Sequence, residues 1–176
     1  MYILHISNMC IRRGGDIHVC LDGNFHHRHK KSAGDSPWFY EPKYIISKAQ
    51  VDEVGKRIDD VRKRPSRPRP IHGASDDTID SCLESHEAAD GARKKADADV
   101  FDDTGVMALV CRHDIPLFLA NIDTPGEQQK YAIALLEHLF SLLPQTATVY
   151  ALYDVGCVLK RSLELVCAAY AHIIPS

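Results

Sequence analysis

Asp103 to Cys157, DTGVMALVCRHDIPLFLANIDTPGEQQKYAIALLEHLFSLLPQTATVYALYDVGC, reads as strand, turn, strand, helix and strand. Val106–Cys111 and Leu117–Ile122 are short apolar runs separated by Arg112-His113-Asp114 and Pro116, which predicts a hairpin. Thr124-Pro125-Gly126-Glu127 then offers a cap residue, a proline for the first helical turn and an early acid. The segment that follows sets Tyr131, Leu135, His138 and Leu139 on one face with Ile133, Leu136 and Phe140 beside them, an apolar helix expected to stop at Pro144. Thr148–Tyr153 is a third apolar run. It ends on Asp154, with Gly156 close behind, so a carboxylate is expected at the carboxyl end of a central strand.

Upstream, Ile17, Val19 and Leu21 alternate with His18 and Cys20, a strand of about 17–22 with two distinguishable faces that delivers Asp22 just before Gly23. If this strand neighbours Thr148–Tyr153 in one sheet, Asp22 and Asp154 converge. Two carboxylates offer the hard oxygen donors that a divalent cation such as Mg²⁺ takes, although aspartates beside glycines also mark ordinary turns.

A chain of 176 residues with 45% apolar and 26% charged side chains is long enough for one well-buried core. No apolar run approaches the roughly 20 residues of a membrane helix, and the polar, short amino terminus does not read as a signal peptide. Six scattered cysteines suit a reducing compartment better than a disulfide scaffold, so an intracellular protein is expected. The net charge of −3 argues against a uniformly basic nucleic-acid binder but conceals a local run: Lys56, Arg57, Arg62, Lys63, Arg64, Arg67 and Arg69. These residues read as a solvated linker or as a phosphate-contacting or nuclear-address segment.

Three divisions follow: 1–31 around the strand bearing Asp22, 32–102 as an insertion, and 103–176 with the remaining core. Tyr2–Ile6 is at most a short apolar start. Three histidines among residues 26–29 point to alternating faces and read as a basic strand end rather than one metal site. Within the insertion, Val51, Val54, Ile58 and Val61 recur at helical spacing after Ser47, and a second helix is expected over 76–89. Trp38, Phe39 and Tyr40 offer either a stacking platform for bases or, as expected here, an apolar anchor for the insertion.

Cys82 and His86, one turn apart on that second helix, together with Cys111 and His113, form two short thiolate–imidazole pairs suited to a tetrahedral Zn²⁺ site. The alternative is a buried cysteine with satisfied histidines.

The stretches Leu21–Phe25 (LDGNF), Asp103–Asp114, Leu117–Ile122, the helix ending in Glu137-His138, and Leu152–Cys157 (LYDVGC) resemble the Kyakuja–Dileera–Zisupton (KDZ) transposases, common in mushroom-forming fungi. The likeness runs from about Gly15 to Ser162. It implies an α/β, ribonuclease H-like mixed sheet, here incomplete and interrupted by a long, partly helical insertion. It also implies DNA as substrate and partner, Mg²⁺ as cofactor and a nuclear setting. By motif, Asp22 and Asp154 correspond to the first two acids of the family's metal-binding triad, and Cys82, His86, Cys111 and His113 fall at its Cys/His positions.

Two departures stand out. Family members carry a cysteine pair ahead of the first strand where this chain has Cys10 alone, and their third acid, a glutamate, comes from a later helical region. Here Glu164 is the only carboxylate after Asp154, while Glu137 is a candidate auxiliary ligand. The expectation is a truncated transposase core holding two of three acids and cleaving little DNA by itself. The alternative is a non-enzymatic, zinc-stabilised DNA- or partner-binding module. A sheet with an uncovered face or edge would also self-associate.

Overall fold

Alternation along Ile17–Asn24 (β2) is the pattern from which the sheet grows: Val19 and Leu21 are buried, whereas His18, Cys20, Asp22 and Asn24 face solvent. The computed structural model describes residues 2–7, 17–35, 37, 39, 40, 42–63, 99–124, 128–144, 147–156, 159 and 163, with the backbone alone for 2–7 and 62. The expected helix over 76–89, with Cys82 and His86, lies outside these residues, as do Cys10, Trp38, Arg64, Arg67, Arg69, Cys157 and Glu164.

The predicted hairpin forms from Gly105–Cys111 (β5) and Pro116–Ile122 (β6), antiparallel with Met107 opposite Ala120. Asp114 adopts φ 60° in the turn, a left-handed conformation that aspartate tolerates better than most residues. Val19 to Asn24 of β2 pair antiparallel with β5, Asp22 opposite Ala108. Thr148–Tyr153 (β7) pairs on the other side of β2 in parallel, and Tyr2–Ser7 (β1) pairs antiparallel with β7. The sheet order is therefore β1-β7-β2-β5-β6, which puts β2 in the middle and makes the fold mixed α/β. The short apolar start noted at Tyr2–Ile6 is a full strand and covers the β7 edge. Gly105 fits a close crossing at the start of β5, since a Cβ there would lie 2.6 Å from the Asn24 carbonyl oxygen.

A two-stranded ribbon stands apart, His29–Lys30 (β3) against Phe101–Asp103 (β4). His29 Nδ1–H donates to Asp102 Oδ1 at 2.8 Å, which makes one of the three clustered histidines a ribbon clasp. The other edge of the main sheet is partly covered by the insertion: Ile46 N–H donates to the Leu119 carbonyl at 2.9 Å and Leu119 N–H to the Tyr44 carbonyl at 2.7 Å.

Helix α1 spans Lys48–Arg62 and starts at a capping box, in which the Ser47 side chain accepts from Gln50 N–H and the Gln50 side chain accepts from Ser47 N–H. Its Val51, Val54 and Ile58 are buried, as their spacing predicts. Helix α2, Gln129–Leu142, stops just before Pro144. It is buried on more than one face, with Tyr131, Ile133, Leu135, Leu136 and Leu139 almost wholly enclosed between α1 and the β5–β6 face of the sheet.

The start of α2 departs from the expectation. Thr124 does not cap it; the cap position is Gln128, without a side-chain hydrogen bond. Thr124 is held instead by the Tyr131 phenol, whose oxygen lies 2.7 Å from the threonine hydroxyl and accepts from the Asp123 and Thr124 amides at 3.1 and 3.2 Å. The phenol donates in turn to Asp123 Oδ1 at 2.7 Å. A buried tyrosine thus fastens the β6–α2 connection. Asp123 also pairs with Lys48 and lies 3.5 Å from Lys130 Nζ, tying both helix starts to the end of β6.

The anchoring role expected of the aromatic segment does not hold for Phe39 or Tyr40. Phe39 is 96% exposed and Tyr40 68%, so neither ring is buried by the insertion.

Candidate functional site

Asp22 lies on β2, and Asp154 lies just past the end of its parallel neighbour β7. β2 and β7 run parallel with Ile17, His18, Val19 and Cys20 opposite Val149, Tyr150, Ala151 and Leu152. Two residues beyond Cys20 comes Asp22, and two beyond Leu152 comes Asp154. Residues two apart on a strand share a face, so Asp22 continues the exposed His18-Cys20 column of β2; the half-buried Tyr150-Leu152 column ends with β7 at Tyr153, and Asp154 follows it in a turn. The ring contact between His18 and Tyr150, 5.3 Å between centroids and nearly edge to face, confirms that the two columns share a side.

Each carboxylate is oriented by its own backbone. Asp22 Oδ1 accepts from Gly23 N–H and Asp154 Oδ1 from Val155 N–H, both at 2.8 Å, and both side chains are exposed. These are two hard-oxygen donors at the carboxyl ends of adjacent parallel strands, where open α/β sheets present their ligands. Among the described residues no group of three or more His, Cys, Asp or Glu side chains is placed to hold a metal ion.

Sequence reading finds no partner for Cys20 and does not connect it with the acids. Its thiol is pushed above the ordinary cysteine range, first by desolvation, then by the Asp22 carboxylate, with Asp154 adding in the same direction. A single sulfur feels both acids. The alternation along β2 was the signal available for it, since Cys20 precedes Asp22 by two.

The other predicted residues are placed as follows. Cys111 Sγ lies 3.8 Å from His113 Nδ1, while His113 Nε2 accepts from Arg112 Nε at 3.2 Å. The imidazole therefore turns its Nδ1 edge toward the sulfur, at the turn after β5 rather than on the strand itself. Lys56 and Lys63 are exposed on and just after α1, whereas Arg57 reaches across to an ion pair with Glu137 of α2. Glu137 is thus engaged between helices.

A cleft of about 340 Å³ opens between the insertion and the end of the hairpin, lined by Pro42, Ile45 and Lys48 on one side and Asp103, Asn121 and Asp123 on the other. Asn121 Nδ2 donates to Asp103 Oδ2 at 2.8 Å. Desolvation, followed by the neighbouring Asp102, raises the Asp103 carboxyl above the usual carboxylate range.

The model of the Kyakuja-Dileera-Zisupton transposase family matches residues 16–171. The chain belongs to the KDZ transposase family. The match takes in both aspartates, the hairpin, both described helices and Cys111 with His113. No curated protein and no solved structure matches the chain. Among the described residues, no helix of this KDZ chain is long and apolar enough to cross a membrane.

Proposed function

We propose that this chain carries the first part of a ribonuclease H-like catalytic core of a KDZ transposase, with Asp22 and Asp154 as two of its metal-holding acids and DNA as its substrate in the nucleus. The single observation that carries this reading is the parallel β2–β7 register, which puts Asp22 on the central strand beside the strand that Asp154 follows. Strand order supports it as well: an acid-bearing central strand, an antiparallel hairpin, a helix, then a parallel strand ending in the second acid.

The donor set fits Mg²⁺: two exposed carboxylates, each with one oxygen steadied by a backbone amide, and no soft ligand required. Bound there, the ion would supply Lewis-acid stabilisation of charge at a phosphodiester undergoing displacement. The chain's own contribution is to orient the two carboxylates and to hold them on a rigid sheet whose opposite face is packed against α2. A third carboxylate completes such a site in the family, and none stands with the pair among the described residues.

Strand cleavage tests this. The chain alone is expected to nick supercoiled DNA little or not at all in Mg²⁺. Robust nicking, abolished by Asp22→Ala and by Asp154→Ala, would contradict the need for a third acid while upholding the pair.

One observation favours a second role beside the first. The Cys111–His113 contact is half of a thiolate–imidazole set that Cys82 and His86 would complete around Zn²⁺, giving a stabilised module for DNA binding with Lys56, Arg62, Lys63 and the basic residues that follow. Stoichiometric zinc lost on His113→Ala supports it; metal-free, folded protein contradicts it.

A further inference from the structure

Three exposed aromatic rings lie where the insertion meets the sheet edge. Phe39 and Tyr40 stand in solvent, and Tyr44 is 45% exposed although its backbone is fixed by the hydrogen bond from Leu119 N–H. Tyr40 and Tyr44 are neighbours, and the Tyr40 phenol raises the Tyr44 pKa. Large apolar rings left in water cost free energy unless something covers them, and the sequence around them says what kind of molecule does.

From Arg28 to Tyr44 the chain carries Arg28, Lys30, Lys31 and Lys43 against two carboxylates, a positive segment in a chain whose net charge is −3. All four cationic side chains are exposed. Lys43 falls between Tyr40 and Tyr44, and the other three cations precede Phe39; exposed rings with cations in the same segment are the chemistry that grips single-stranded nucleic acid, by stacking on bases and attracting phosphates. An apolar protein partner would gain nothing from the charge.

Position agrees. Pro42 and Ile45, flanking Tyr44, form a wall of the 340 Å³ cleft, which has room for a base. Asn121, on the opposite wall, lies in the cross-sheet row Asn24–Val106–Asn121, on the same face as Asp22. Two strand spacings place it roughly 10 Å from Asn24. A strand whose phosphate lies at the acid pair reaches the cleft within one or two nucleotides.

We propose that Phe39, Tyr40 and Tyr44 form a bracket that stacks unstacked bases of single-stranded DNA at the mouth of this cleft. The proposal rests on the DNA reading above but not on metal binding by the acids.

The test uses the full chain and a single-stranded oligonucleotide containing 2-aminopurine, whose fluorescence falls when the base stacks on an aromatic ring. The expected result is quenching on binding, with tighter binding than to a blunt duplex of the same length. The double substitution Phe39→Ala/Tyr40→Ala should remove the quenching and weaken binding by about 10-fold or more. Both side chains are exposed, so circular dichroism should not change, and Phe39→Trp should retain the quenching. Wild-type binding without quenching, or equal quenching in the double variant, overturns the bracket. So does a wild-type dimer that the same substitutions convert to monomer, since that assigns the rings to a second copy. Repeating the titration with Asp22→Asn and no Mg²⁺ separates the two readings: quenching that persists there upholds the bracket whatever becomes of the acid pair.

Discussion

Cys20 lies opposite Leu152 where β2 and β7 run parallel; Asp22 follows two residues on along β2, and Asp154 follows two residues on in the turn that ends β7. The thiol pKa is raised, first by desolvation, then by the Asp22 carboxylate and to a lesser degree by Asp154.

Cys20 therefore reports on the acids without any metal or DNA. In chelator, where the carboxylates are bare, Asp22→Asn should lower the thiol pKa and speed alkylation of Cys20 at mildly alkaline pH. Asp154→Asn should do the same to a lesser degree, following the order of the two contributions. The measurement is the rate–pH profile of alkylation at Cys20, read by mass spectrometry. If neither substitution moved the midpoint, the carboxylates would not be where the register puts them.

Tyr131 is the structural counterpart. Its phenol, buried and bonded to Asp123 and Thr124, fastens the connection that leads from β6 into α2. Tyr131→Phe leaves the ring's packing intact but strands two amides and a hydroxyl, which should cost about 1–3 kcal/mol. A fall in the urea midpoint with an unchanged m value is the expected signature. Thr124→Ala removes one partner of the phenol and should cost less.

The ribbon is pH-sensitive. His29 has its pKa raised, chiefly by the hydrogen bond to Asp102, so the folded ribbon favours the imidazolium. That contribution is fully present below the ordinary histidine pKa and is lost as pH rises through the raised value. An NMR titration should give His29 a midpoint above the ordinary histidine value, and Asp102→Asn should bring it down. Hydrogen exchange at the β3–β4 amides should quicken across the same interval after allowance for intrinsic rates.

The hairpin, β2, β7 and the spacing of α1 were legible because each depends on local alternation or period. The start of α2 was not: Thr124 has the chemistry of a cap, but a tyrosine one turn into the helix competes for the same groups, and that contact exists only once the helix is packed. The exposure of Phe39 was hidden for a similar reason, since an aromatic run reads alike whether it anchors or protrudes. Tyr2–Ser7 looked like a short apolar stretch, and what makes it a strand is the edge of β7, a partner almost 150 positions away. For the acids, the sequence supplied two strand ends and a motif likeness, while only the structure showed that β2 and β7 are parallel neighbours. Arg57 belonged to a basic run by composition, and its partner Glu137 came into view only with the α1–α2 packing.

The most direct test of the account is divalent-ion binding by the purified chain, with Mn²⁺ standing in for Mg²⁺ and the free ion followed by electron paramagnetic resonance. The account predicts a saturable site displaced by Mg²⁺ and lost in both Asp22→Asn and Asp154→Asn, with the fold unchanged by circular dichroism. Binding that survives either substitution, or no binding by the wild-type chain, would contradict the claim that these two aspartates form a metal-holding pair.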